Sequence, residues 1–368
     1  MIANQDELDR NLDRCHTVTV EISDQGELPP SNQAYDALRN LPQSGFTFKL
    51  RELLHAIGCK TAALPTRSED ECIRSAHLFT NILDLESDHL SFKGGYGSDL
   101  QSARSQEIGI GMMCLLVKHY FNIPWDQLES LPGRGRRFDY RGRTGDLECI
   151  FEAKGTSNYG YQSVQIRNGL EKKDAYHSRG ENFNVELIVS AYIGCNGRSP
   201  RIIIADPIKD SLKNLYYKGD NRYYRLRHYC RVLQFVGLPW SAYRLYKYAR
   251  DYIAGKESIF ETILREKKDR GFLKEIEIAG DKFLGRWFDS WLPEESSKYR
   301  KLKKYNTEKF IKNLKIFQGI RQDIYESGLA IEPFSEPLLS DHETKQYTKY
   351  HGSGVSVLSD GTIMIIRY

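Results

Sequence analysis

Residues 17–22 carry the first clear pattern. Thr17-Val18-Thr19-Val20-Glu21-Ile22 alternates polar and apolar positions with period two, as a half-buried strand does. Gly45 to Ile57 predicts a short strand or loop followed by a helix, residues 68–84 predict another helix, and Gly94-Gly95-Tyr96-Gly97 reads as a loop. A helix then runs from Ser98, with Gln101 three residues on as in a capping box, to about Phe121; Pro124 lies just past its end. Its middle, residues 108–117 (IGIGMMCLLV), is apolar on every face and should be buried.

Arg136 to Arg141 is a short extended stretch, Thr144-Gly145-Asp146 a turn, and Leu147 to Lys154 the returning strand of a β-hairpin. Gly155 to Gly160 is small and polar, hence a loop. Gln162 to about Ser178 looks helical, with Gly180 as its stop, and residues 185–193 and 201–205 are two core-type strands. The order helix–strand–strand–helix–strand–strand over about 99–206 predicts an α/β fold: a mixed central sheet flanked by helices. From 211 to about 328 the pattern is mostly helical. At the C-terminus, Asp360-Gly361 between two apolar runs predicts a β-hairpin. Four regions result: an N-terminal accessory region (1–97), an α/β core (98–208), a helical basic region (209–330) and a tail with a hairpin (331–368).

The chain has 368 residues, roughly two domains and enough to bury a sizeable core. Its net charge of +4 says little. The placement of charge says more: residues 213–250 hold nine lysines and arginines against one acid, Asp220, interleaved with eight tyrosines. Lys218, Arg222, Arg225, Arg227, Arg231, Arg244 and Lys247 could meet phosphates, and tyrosines can stack on bases. The competing reading is a helix pair with core tyrosines and a solvated cationic face. A second basic helix, expected over 298–315, could join the first. Seven cysteines without a CxxC exclude a disulfide framework and a zinc knuckle. No run approaches about 18 apolar residues, so no membrane span is expected, and the hydrophilic start and free thiols suggest a cytoplasmic chain.

The candidate chemistry lies at residues 149–155, CIFEAKG, where an apolar strand ends in a carboxylate, a small residue and an amine. Four [DE]-x-K matches occur, and only Glu152/Lys154 follows an apolar run; the others sit in charge-rich surroundings. On a strand, Glu152 and Lys154 project from one face and Ala153 from the other. Phosphodiester hydrolysis needs a divalent ion held by one or two acids and a cation for the developing charge. Asp139, across the hairpin, is the favoured second acid, with Asp146 near the hairpin tip as competitor. Glu107, at the start of the apolar helix segment, is a third candidate, or else the partner of an arginine such as Arg104 or Arg137. Gln162 and Gln165 open the next helix, where an amide could hold a metal-bound water or a phosphate. The basic loop 133–137, with Arg137, could touch a nucleic-acid backbone.

A helix with Glu107, then Asp139 on one hairpin strand, then apolar-Glu152-x-Lys154-Gly155 on the next, then a helix with Gln165, resembles the PD-(D/E)xK nuclease superfamily, the restriction-endonuclease-like fold. The resemblance covers about 99–206, and Phe138 stands where the family often has proline. It implies Mg²⁺-dependent hydrolysis of DNA, with Mn²⁺ as a possible substitute; Asp139, Glu152 and Glu107 as metal ligands; and Lys154 and Gln165 completing the catalytic set. One such core cuts one strand, so a homodimer on DNA is expected, in restriction or genome defence.

Overall fold

A computed structural model describes residues 4–23, 33–61, 82–93, 98–131, 138–144, 147–178, 183–194, 198–205, 221–255, 273–289, 314–326 and 339–368. In chain order the elements are α1 (Gln5–Asp13), β1 (Cys15–Ile22), α2 (Gln33–Ser44), β2 (Phe46–Lys49), α3 (Leu50–Thr61), α4 (Ser98–Phe121), β3 (Glu129–Ser130), β4 (Tyr140–Thr144) and β5 (Leu147–Thr156). There follow α5 (Gln162–Ser178), β6 (Val185–Tyr192), β7 (Arg201–Ala205), α6 (Asn221–Val236), α7 (Pro239–Ile253), β8 (Lys274–Ile278), β9 (Asp281–Asp289) and β10 (Lys315–Arg321). The last elements are α8 (Gln322–Glu326), α9 (Asp341–Gln346), β11 (Lys349–Tyr350), β12 (Ser353–Val357) and β13 (Thr362–Arg367). The fold is α/β. No helix among the described residues is long and apolar enough to cross a membrane. The expectations for residues 68–81, 94–97, 145–146 and 298–313, and for the cap at Ser98, lie outside the described residues and side chains.

Two compact units are each drawn from separated stretches of chain. One comprises Cys15–Lys49 and Leu83–Gly219, the other Met1–Arg14, Leu50–Ile82 and Asp220–Tyr368. The first unit holds a mixed seven-stranded sheet of order β2-β1-β7-β6-β5-β4-β3. β5 runs parallel to β6 and antiparallel to β4, and β1 runs parallel to β7. β6 is buried along its whole length, as a central strand between covered faces must be. The helix α4 lies so close to β5 that a Cβ on Gly155 would sit 1.7 Å from the Ser105 carbonyl oxygen. Only glycine permits that approach. Gly169 of α5 packs against Ile188, which pairs with Glu152 in the β5–β6 register. Alternation along β5 therefore turns Ala153 and Gly155 toward α4, and Glu152 and Lys154 toward α5.

The second unit holds an antiparallel six-stranded sheet of order β11-β12-β13-β10-β9-β8. Ile276, Ile278, Phe283, Phe317, Tyr347, Ile363 and Ile365 form a core cluster on it. The C-terminal pair β12–β13 is antiparallel, as the Asp360-Gly361 signal predicts. Within 211–328 the described residues are helical in α6, α7 and α8, as expected, but they also hold strands that the helical reading did not include. After α6 and α7 come the β8–β9 hairpin and β10. The reason is local. Lys274-Glu275-Ile276-Glu277-Ile278 buries only its two isoleucines, a period-two pattern. Ala279 and Gly280 both take positive φ, 53° and 88°, the turn whose twist suits a two-residue hairpin. Lys315 begins β10 and belongs to no basic helix.

Candidate functional site

Asp139 immediately precedes β4, and its amide donates to the Phe151 carbonyl at 3.0 Å. Since Tyr140 pairs with Phe151, Asp139 lies across from Glu152. Asp139 Oδ2 accepts from the Ala153 amide at 3.2 Å and from Lys154 Nζ at 3.4 Å. The Glu152 side chain is fully buried, and its Oε1 accepts from Lys154 Nζ and from Lys172 Nζ, each at 2.5 Å. Its other oxygen, Oε2, is buried and has no hydrogen-bond partner among the described residues. Lys154 thus bridges two carboxylates, and Glu152 is shared by two ammonium groups.

The electrostatics follow from this crowding. Burial pushes the Glu152 carboxyl above its ordinary pKa, and Asp139 adds to the rise; Lys154 and Lys172 oppose it without cancelling it. Burial works against the Lys154 ammonium, but Asp139 and Glu152 outweigh it and raise its pKa above the usual lysine value. Lys154 is therefore a firm cation at neutral pH.

The other expected residues are placed differently. Glu107 gives both oxygens to Arg104 Nη1 at 2.7 Å, and its side chain is 30% exposed. At this end of α4 the residues that meet β5 include Ser105, Gln106 and Gly109, and helical spacing turns Glu107 away from them. Gln165 is buried, with both amide atoms engaged: Nε2 donates to the Gly155 carbonyl at 3.1 Å, and Oε1 accepts from Ser190 Oγ at 2.7 Å. Gln162 Nε2 likewise donates to the Ser190 carbonyl. These amides tie α5 to the ends of β5 and β6.

Sequence reasoning missed Lys172. The signal was present, because Gln165 and Gly169 precede Lys172 at helical spacing, so all three share the face of α5 that covers β5 and β6. A charged residue on a covering face needs a buried counter-charge, and Glu152 is one.

Arg137, Asp146 and Lys218 lie outside the described residues. On α6, Tyr223, Tyr224 and Tyr229 are buried, as the core reading of the tyrosines has it, but so are Arg225, Arg227 and Arg231. Arg227 donates to the Tyr223 hydroxyl, and Arg222 to the Tyr248 hydroxyl, both at 3.3 Å. Long apolar stems let arginines lie in such an interior. On α7, Arg244, Lys247 and Arg250 face solvent.

No protein-family model, no curated protein and no solved structure matches this chain.

Among the described residues, no group of three or more His, Cys, Asp or Glu side chains gathers as a metal site. Two carboxylates are what the cluster offers. That suffices for a hard ion that keeps several waters, and the unpartnered Oε2 of Glu152 is a buried acceptor of the required kind.

Proposed function

We propose that this chain is a Mg²⁺-dependent nuclease that hydrolyses DNA phosphodiester bonds on a restriction-endonuclease-like core. A homodimer in restriction or genome defence is the setting that the resemblance implies. One observation carries the reading: Glu152 is buried with one oxygen held by two lysines and the other without a partner among the described residues, beside Asp139. A structural ion pair has no use for a spare buried acceptor, which costs free energy if left unmade.

Asp139 and Glu152 would hold the ion, which supplies charge neutralisation and an activated water. Lys154, a cation by its raised pKa, stabilises charge on the phosphoryl oxygens and does not act as a base. Lys172 keeps Oε1 of Glu152 fixed, so Oε2 would be the oxygen available to hold an ion. Arg244 and Lys247 are exposed candidates for phosphate contact. Glu107 and Gln165 take no part in this scheme, since Arg104 and the strand ends occupy them.

A second reading, nucleic-acid binding without cutting, draws on the same cluster, because two ammonium groups already balance two carboxylates. Plasmid nicking separates the two. Wild type should nick in Mg²⁺ and not in EDTA, and Lys154→Met and Glu152→Gln should each lower the rate about 10²- to 10³-fold, the usual loss of one group that stabilises developing charge. RNA is tested alongside. Nicking that survives Glu152→Gln would sink the site, and a wild type that binds but never nicks would favour the second reading.

A further inference from the structure

Four large hydrophobic side chains are exposed among the described residues, and two of them, Tyr159 (39%) and Tyr161 (47%), share the short turn after β5. The turn is fixed before any ligand arrives. Asn158 accepts from the Gly160 amide at 3.1 Å. Tyr192 meets the Tyr159 ring edge-on at 5.3 Å, and the Arg201 guanidinium lies 3.8 Å from its centroid. Arg201 is itself held by Gln162 Oε1 at 2.6 Å and by both oxygens of Glu21 at 3.0 and 3.1 Å. Beside Arg201 opens a hollow of about 300 Å³ between α5 and the ends of β1 and β7, with Ser23 and Ser163 on its wall.

Two exposed groups here, Tyr161 in the turn and Arg198 just before β7, are open to a ligand. The Tyr161 ring has no aromatic or cationic partner among the described residues. Arg198 is exposed, lies 5.2 Å from the Tyr159 centroid, and forms no ion pair among the described residues. A half-exposed ring on a rigid turn, with an exposed guanidinium against the neighbouring Tyr159 ring, suits a ligand with a flat π-face and a negative charge close by. A nucleotide has both. A base inside a duplex offers no free face, so the base has to be unpaired. The turn begins two residues beyond Thr156, at the end of the strand that carries Glu152 and Lys154.

We infer that Tyr161, two residues from Tyr159 and its neighbour Arg198, is a stacking site for an unpaired base of a nucleic-acid strand. The inference rests on the nuclease reading, since it names the part of the substrate that the same unit grips.

The test is fluorescence anisotropy in EDTA with three probes: a labelled single-stranded oligonucleotide, the same strand made abasic, and a blunt duplex. Tyr161→Ala should weaken binding of the intact strand by about 5- to 150-fold, the worth of one stacked base, and leave the abasic strand and the duplex unchanged. Tyr161→Phe keeps the ring and should bind as wild type does. Arg198→Gln should weaken intact and abasic strands alike and lower the salt slope by about 1. A wild type that does not distinguish intact from abasic strands, that binds neither, or whose Tyr161→Ala variant loses both equally, overturns the inference. Nicking run in parallel keeps the two readings apart: base-dependent binding without Mg²⁺-dependent cleavage overturns the nuclease and keeps the stacking site, and cleavage with base-indifferent binding does the reverse.

Discussion

Among the described residues, two of the buried clusters of acids and lysines, one in each unit, are finished differently. In the second unit Lys60 Nζ lies 3.2 Å from His228 Nδ1, and His228 Nε2 lies 2.8 Å from Asp360 Oδ2. An ammonium only donates, so Nδ1 accepts and Nε2 carries the proton that Asp360 receives. The other oxygen of Asp360 accepts from the Thr362 amide at 3.0 Å and from its hydroxyl at 2.6 Å. Asp360, His228, Thr362 and Lys60 are all within 1% of full burial. In the first unit, Glu152 is equally buried, yet its lysines are 20% and 22% exposed and one of its oxygens has no partner. Both clusters hold carboxylate and ammonium in a low-dielectric place. The sealed one has both Asp360 oxygens answered and its side chains out of solvent, which is how charge is used to fasten α3, α6 and the β12–β13 hairpin. The open one keeps an acceptor in hand and a cation at the surface, which is what a site needs.

Breaking the sealed cluster should have the largest effect on stability. Asp360→Ala leaves Lys60 without its relayed counter-charge, and removal of one member of a buried pair costs about 3–5 kcal/mol. Urea unfolding followed by circular dichroism measures it; a loss under about 1 kcal/mol would mean that the cluster fastens nothing. The same cluster predicts acid sensitivity. Burial alone would raise the Asp360 pKa, but hydrogen bonds from His228 and Thr362 overcome that and hold it at about 2. A carboxylate depressed in the folded state stabilises above its unfolded pKa of 3.8 and loses that contribution as pH falls to about 2. On the order of 2 kcal/mol should disappear across that window in wild type, and not in Asp360→Ala.

The open cluster is held in place by backbone contact. Gly155→Ala would set a Cβ 1.7 Å from the Ser105 oxygen and 2.5 Å from its carbon. These atoms belong to two regular elements, so strand or helix has to shift. Overpacking of this sort costs about 1–3 kcal/mol, and it displaces Lys154, one residue away. A urea midpoint unchanged from wild type would show that α4 and β5 do not meet as closely as described.

How legible each cluster was in the sequence follows from the distance over which it is assembled. Asp139, Glu152 and Lys154 belong to one hairpin, so the period-two rule and a turn signal were enough to set them together. Lys172 comes from the next helix, and its role depends on which face of α5 docks. Glu107 was left between a ligand and the partner of Arg104 for the same reason; the pair with Arg104 is what forms, because the helix presents Ser105, Gln106 and Gly109 to β5. Gln165 was read as a ligand or a solvent-facing residue, whereas the strand ends consume its amide. The sealed cluster joins residues 60, 228 and 360, and no local pattern connects them. The β8–β9 hairpin was lost differently, because its outward lysines and glutamates hid an alternation of only two buried isoleucines.

The finest distinction between the clusters concerns Lys172. Were it only a strut, Lys172→Met would cost little and change nothing else; with 22% of its side chain exposed, the pair should contribute about 1 kcal/mol or less. If it instead holds Glu152 ionised, its removal takes away one of the two cations that oppose the burial-driven rise of the Glu152 pKa. That pKa then moves further up. Glu152 must be ionised to hold a divalent ion, so the acid limb of the pH–nicking profile should move to higher pH in Lys172→Met and return with Lys172→Arg. Stability should move with it. A carboxyl whose folded pKa lies above its unfolded value stabilises at low pH and loses that contribution as pH rises through the folded value. Lys172→Met should therefore be most destabilised at neutral pH and recover as the solution is acidified toward the ordinary glutamate range, the reverse of the trend predicted for Asp360. An acid limb that stays where it is in wild type would reduce Lys172 to a strut, and would make the open cluster more like the sealed one than its geometry suggests.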